Sequence, residues 1–73
     1  MPKLPQVKPR ELAKILRKKG FLERPTSGSH MGYIHNNGMR TTIAIHNKPI
    51  PKGTLKAILR QAGMTTDDLI DEL

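Results

Sequence analysis

The apolar residues of the chain fall into two helical stripes separated by stretches of alternating character. Leu12, Ile15 and Leu16 recur at helical spacing, with Arg10, Lys14, Arg17 and Lys18 gathered on the other side. Pro9 is pre-set for a first helical position, and Glu11 falls in the first turn, where the helix dipole favours an anion. With Lys8 as N-cap, Val7 and Leu12 occupy the two positions of a hydrophobic staple. Gly20 ends this helix as its left-handed cap. A second helix is predicted from Lys52 to about Ala62: Leu55, Ile58, Leu59 and Ala62 form its apolar face, and Lys52, Lys56 and Arg60 a basic stripe. Gly63 closes it and sets Met64 against Leu59. Thr65-Thr66-Asp67-Asp68 reads as the capped start of a short helical tail over 65–73, with Leu69, Ile70 and Leu73 returning to the core.

Between the helices the period changes to two. Phe21 to Arg24 reads as a short strand stopped by Pro25, with Thr26-Ser27-Gly28-Ser29 as a loop. His30 to His35 and Met39 to His46 read as strands joined by Asn36-Asn37-Gly38, since Asn-Gly between such runs signals a hairpin. A two-residue turn at Asn37-Gly38 places His30 with Ile34, Ile43 and Ile45. A three-residue turn with Gly38 left-handed places His30, Arg40, Thr42 and His46 together. The opposite face then collects Met31, Tyr33, Met39, Thr41, Ile43 and Ile45. The second register gives the cleaner apolar face and leaves His30 and His46 in water. Pro49-Ile50-Pro51 is a stiff connector, and residues 1–6 a loose lead-in to one domain over 1–73.

The resulting order, α-β-β-β-α plus a tail, belongs to the α+β class. Its economical packing is a three-stranded antiparallel meander with both helices on one face. Double-stranded RNA-binding domains share that order and layering. The other sheet face is expected to be open, polar and flanked by basic helix surfaces.

Seventy-three residues support one thin core, burying about 60% of the unfolded surface, and leave no room for a cofactor cleft of the doubly wound kind. The absence of cysteine excludes a disulfide scaffold, a thiolate zinc site and a cysteine nucleophile. No apolar run approaches the roughly 20 residues of a membrane span, and Met1 to Pro5 hold no signal-like apolar block. A cytoplasmic protein without membrane contact is expected. Charge is the positive clue. Residues 1–66 carry thirteen basic side chains against two acidic ones, and the other four acids sit in the last seven residues. Such a density of like charge costs stability by self-repulsion and points to a polyanionic partner, nucleic acid foremost. One Phe, one Tyr and no Trp argue against a platform that stacks successive bases.

The residue types that could carry chemistry are few. His30 opens a strand directly after a Gly-Ser loop. Cleaving RNA without a metal needs a group to take the 2′-hydroxyl proton, another to protonate the leaving oxygen, and cations near the phosphorane. Imidazole suits the proton roles, since it titrates near neutrality. Structurally, His30 is equally a strand-edge residue bonded to a carbonyl, and His46 at the exit of the next strand has the same two readings. His35, near the turn, reads as solvated. Three histidines could serve a metal, but His30 and His35 have opposite strand parity and do not converge, so no metal is expected. Lys14, Arg17, Lys18, Lys52, Lys56 and Arg60 are candidate contacts to an RNA backbone.

Taken together, Gly28-Ser29-His30, Tyr33, His35, Gly38, Arg40-Thr41-Thr42 and His46 resemble the HicA (YcfA-like) toxin family. The run Lys52-Gly53-Thr54-Leu55 through Ala62-Gly63, the opening Val7-Lys8-Pro9-Arg10-Glu11 and Gly20-Phe21 match as well. The resemblance spans about residues 7 to 70. It implies the toxin of a type II toxin–antitoxin system: an endoribonuclease that cleaves mRNA, has the double-stranded RNA-binding-like fold and is held inactive by a HicB-type antitoxin; from the residues themselves, no cofactor is expected. The essential histidine of the family carries over onto His30, the presenting loop onto Gly28 and Ser29, and accessory positions onto His46 and Arg40. Met39 and Met31-Gly32 depart from the pattern, and Gly32 is expected to weaken strand pairing beside the site. The rival reading of the same residues is a non-enzymatic RNA-binding module. A DNA-binding regulator is a third, disfavoured by the lack of helix-turn-helix spacing.

Overall fold

The structure of the protein, a computed structural model, describes residues 3–73; of the expected lead-in, Met1 and Pro2 lie outside the described residues. The chain runs α1 (Pro9–Lys18), β1 (Leu22–Ser27), β2 (His30–Ile34), β3 (Arg40–Ala44), α2 (Lys52–Gln61) and α3 (Thr66–Glu72). The strands form one antiparallel sheet in the order β1-β2-β3, with the helices packed on it. This is the α-β-β-β-α arrangement of a double-stranded RNA-binding-like fold.

Local chemistry sets the helix ends. Pro9 takes the first position of α1, the Lys8 amide donates to Glu11 Oε1 at 2.9 Å, and Val7 and Leu12 are fully buried as the staple. Gly20 (φ +98°) and Gly63 (φ +70°) adopt the left-handed conformation that ends α1 and α2. The Phe21 amide reaches back to the Leu16 carbonyl at 3.0 Å, and the Met64 amide to that of Leu59 at 2.8 Å, completing a Schellman motif at each end. Thr65 caps α3, accepting from the Asp68 amide at 3.1 Å.

The hairpin takes the three-residue form. His30 faces Ala44, Met31 faces Ile43, Tyr33 faces Thr41 and Ile34 faces Arg40, with Gly38 at φ +94°. Tyr33, Thr41 and Ile43 are buried beneath the helices with Leu12, Leu16, Leu55 and Leu59.

Several expectations are corrected. The first strand runs through Pro25 to Ser27, and Thr26 and Ser27 belong to it, leaving Gly28-Ser29 as the turn. Proline is tolerated because β1 is an edge strand, and a bulge between Pro25 and Ser27 absorbs the irregularity. In the lead-in, Leu4 packs against the core. In the tail only Leu69 is buried; Ile70 and Leu73 are exposed, because a helix of about two turns presents only one of these side chains to the core. Met39 is also left 41% exposed, standing over Gly63. The open face is less polar than expected, carrying Leu22 (75% exposed) opposite Ile34 (38%). Gly32 does not loosen the sheet, since it pairs with both Arg24 and Thr42 and is buried under the Thr26 methyl.

Candidate functional site

The pairing of β2 with β3 fixes where each candidate residue stands. Gly28 (φ +52°) makes the tight turn out of β1, a conformation glycine adopts without strain. Ser29 continues the ladder, its carbonyl accepting the Ile45 amide at 2.8 Å. His30 then starts β2 on the face away from the helices. Its backbone is fixed by the Thr26 hydroxyl, which donates to the His30 carbonyl at 3.1 Å. The imidazole itself is exposed and has no hydrogen-bond partner among the described residues.

His46 follows β3 by two residues, on the side of the sheet that Ala44 shares with His30. Its Nδ1 accepts the Lys48 amide at 3.2 Å, and it lines a small hollow with Pro51 and Thr54 at the start of α2. No side chain caps that helix, because Pro51 offers no acceptor, and a side chain at Gly53 would meet open space. The first turn of α2 is therefore left without a side-chain cap beside His46.

The same end of the sheet gathers the other helix start. The Ile50 amide donates to the Val7 carbonyl at 2.8 Å, tying the entry of α1 to that of α2. Two positive dipole ends and the side chains of Lys8, Lys48 and Lys52 thus lie toward one end of the fold, where an anion is favoured.

The opposite end is electrostatically settled. The Arg17 guanidinium meets Glu23 Oε2 at 2.9 Å, and Lys18 and Lys19 hold Glu72 at 3.0 and 3.2 Å. The Tyr33 hydroxyl and, secondly, Arg17 keep the Glu23 carboxyl below the usual range, while burial and the Glu23 bond push the Tyr33 hydroxyl far up. Lys18 and Lys19 lower Glu72 in the same way.

Of the residues singled out from sequence, the fold brings together Gly28, Ser29, His30 and His46. It does not bring Arg40, which faces Ile34 at the other end of the hairpin, about 13 Å along the strand from the level of His30. Of the backbone candidates, Arg17 and Lys18 are engaged by carboxylates, whereas Lys14, Lys52, Lys56 and Arg60 have no such partner among the described residues. α2 turns Thr54, Ala57 and Gln61 toward β3, which leaves Lys52, Lys56 and Arg60 on its other flank. His35 is not a solvated residue: half-buried, it packs edge-on against Phe21 at 5.0 Å and accepts the Asn37 amide at Nδ1, bracing the turn. The uncapped α2 start and the bond from Thr41 to Gln61 were missed. Only the burial of a threonine on the apolar face, which demands a partner, could have signalled the second. Among the described residues no three His, Asp or Glu side chains converge to hold a metal ion, and no helix is long and apolar enough to cross a membrane.

A search of curated proteins finds no match to the chain. The family model described as the HicA toxin of bacterial toxin–antitoxin matches residues 9–64. That span runs from the first residue of α1 through all three strands to the residue that closes α2, and it includes His30 and His46. The chain therefore belongs to the HicA toxin family, the toxin half of a bacterial toxin–antitoxin pair.

Proposed function

We propose that this toxin is an endoribonuclease that cleaves mRNA with His30 as its catalytic residue, without a metal cofactor, and that a HicB-type antitoxin holds it in check. The observation that carries the reading is the placement of an exposed imidazole on the open sheet face, at the end where both helix starts and Lys8, Lys48 and Lys52 lie. None of these side chains has a carboxylate partner among the described residues. His30 takes the proton of a ribose 2′-hydroxyl. The 2′-oxygen attacks the adjacent phosphorus, the bond to the 5′-oxygen breaks, and that oxygen takes up a proton, with His46 and Lys48 as the neighbouring donors. The α2 amides and Lys52 favour the charge that builds on the phosphorane. Gly28 and Ser29 hold His30 in place, while Lys14, Lys52, Lys56 and Arg60 contact the backbone.

The test is incubation of the purified protein with a long unstructured RNA, with and without EDTA. Cleavage in EDTA with upstream ends bearing 2′,3′-cyclic phosphate is expected, together with loss of at least about a hundredfold in His30→Ala, still cooperatively folded. A folded, fully active His30→Ala variant would falsify the role of His30. Activity lost in EDTA and restored by Mg²⁺ overturns the metal-independent chemistry. RNA binding with no cleavage by the wild type identifies a non-enzymatic module instead.

A further inference from the structure

Between the open side of β3 and α2 runs a groove of about 660 Å³. Gly32 and Thr42, paired across β2 and β3, form its floor, Arg40 stands at one end, and Thr54 and Gln61 are part of the α2 wall. Thr26 reaches over Gly32, where an added methyl would lie 3.0 Å from its own, so the Thr26 methyl lines this part of the floor. Among the described residues no acidic side chain lines it. The groove begins two residues along β2 from His30, on the same face, or about 7 Å away at the rise of a strand.

Gln61 gives this groove a definite hydrogen-bond polarity. The buried Thr41 hydroxyl donates to Gln61 Oε1 at 2.7 Å, which holds the amide oxygen toward Thr41 and leaves the two N–H donors without a partner among the described residues. Arg40 also offers donors alone, while the Thr42 and Thr54 hydroxyls rotate to serve either way. A ligand that fits presents acceptors where Gln61 reaches it.

Resting on the ribonuclease reading, we infer that this groove holds an unstacked base beside the scissile phosphate. There the Gln61 amide selects keto bases, guanine and uracil, over amino bases, adenine and cytosine. Guanine O6 and uracil O4 are acceptors at the positions where adenine N6 and cytosine N4 carry donors. Unstacked bases read on their edges are the usual route to sequence selection in single-stranded RNA. Arg40, too distant to serve His30 directly, lies where it can pair with a neighbouring phosphate.

Gln61→Glu keeps an oxygen for Thr41 and replaces those donors by an acceptor. Thr41→Val frees the Gln61 amide to rotate. Wild type and both variants are given a randomised-sequence RNA, and the cut ends are sequenced. The wild type is expected to show a keto base at one fixed position beside the cut, favoured roughly tenfold or more over its amino counterpart. Gln61→Glu shifts that position toward amino bases, and Thr41→Val narrows the preference while total cleavage persists. Identical base profiles for wild type and Gln61→Glu overturn the inference. A second arm does not depend on cleavage: ¹⁵N spectra are recorded with short 2′-O-methyl oligonucleotides of each base. The Gln61 side-chain amide is expected to shift with guanine and uracil oligonucleotides only. A protein that cuts no RNA yet shows this selective shift fails as a nuclease and keeps the groove. One that cuts RNA while the Gln61 amide responds to all four bases alike, or to none, keeps the nuclease and loses the groove.

Discussion

The Tyr33 hydroxyl donates to Glu23 Oε2 at 2.6 Å, and the same oxygen receives the Arg17 guanidinium at 2.9 Å. One carboxylate thus joins the edge strand to the buried centre of β2 and to the last turn of α1. Tyr33 is buried to 0% exposure, so its hydroxyl has little recourse to water if Glu23 is lost.

The sign of the resulting pH dependence follows from the lowered Glu23, Asp68 and Glu72 carboxyls. Each contributes stability that is present above the ordinary carboxylate range and is lost as the pH falls through its folded value. Stability is expected to be flat between about pH 5 and about pH 9 and to decline below about pH 4. Urea unfolding should show Glu23→Gln weaker than wild type at pH 7, with the gap narrowing as the pH falls below the carboxylate range. A gap that widens on acidification contradicts the assignment.

Two glycines should respond in opposite directions to alanine. Gly63 has φ +70°, and its added methyl would stand 2.5 Å from Met39 Sδ, so Gly63→Ala should cost about 1–2 kcal/mol. Gly53 is helical, with nothing within 4 Å of the added carbon, so Gly53→Ala should stabilise by about 0.4–1 kcal/mol. Thermal unfolding of the two variants checks both signs.

Binding of His30→Ala to single-stranded RNA, followed by fluorescence anisotropy, should weaken steeply with salt. Each neutralised phosphate contributes roughly −0.7 to the slope of log K against log salt. Replacing Lys52, Lys56 and Arg60 together with glutamine should flatten the slope by about 2. Replacing Arg17 and Lys18 should change it much less, since Glu23 and Glu72 already neutralise them. Equal flattening by both sets would show that the ion pairs open on RNA.

The antitoxin is expected to present an acidic surface that covers His30 and competes with RNA, which also speeds its association. Titrating the purified protein encoded beside this gene into the cleavage reaction should inhibit stoichiometrically, with amide-exchange protection over residues 28–33. Protection confined to Asp67–Glu72 would identify a partner that acts at a distance.

What the sequence made legible was whatever neighbours decide. Gly20, Gly38 and Gly63 announce left-handed caps and turns by local chemistry, and all three adopt them. The face shared by His30, Arg40 and Thr42 followed from the parity of a three-residue turn. Pro25 was misread because its tolerance depends on β1 lying at the sheet edge, a property of the assembled sheet. Arg40 carries the right parity but the wrong end, and distance along a hairpin is set by register. The partners of Arg17 and Lys18 stand 6 and 54 residues away, where no helical spacing reveals them. Gln61 lay within the matched second-helix run without a role of its own, and its meaning came only with Thr41 beneath it.

The bond between Ile50 and Val7 joins residues far apart in sequence, and closing so long a loop carries an entropic cost that only late contacts repay. A ribosome releases His30 well before it releases Ile50. Until the chain has been made past that point, the imidazole emerges on a hairpin with neither the Val7 clasp nor the α2 start beside it. On the ribonuclease reading, the groups proposed to assist His30 therefore join it only after the chain has been made past Ile50, an interval in which the antitoxin can already be waiting.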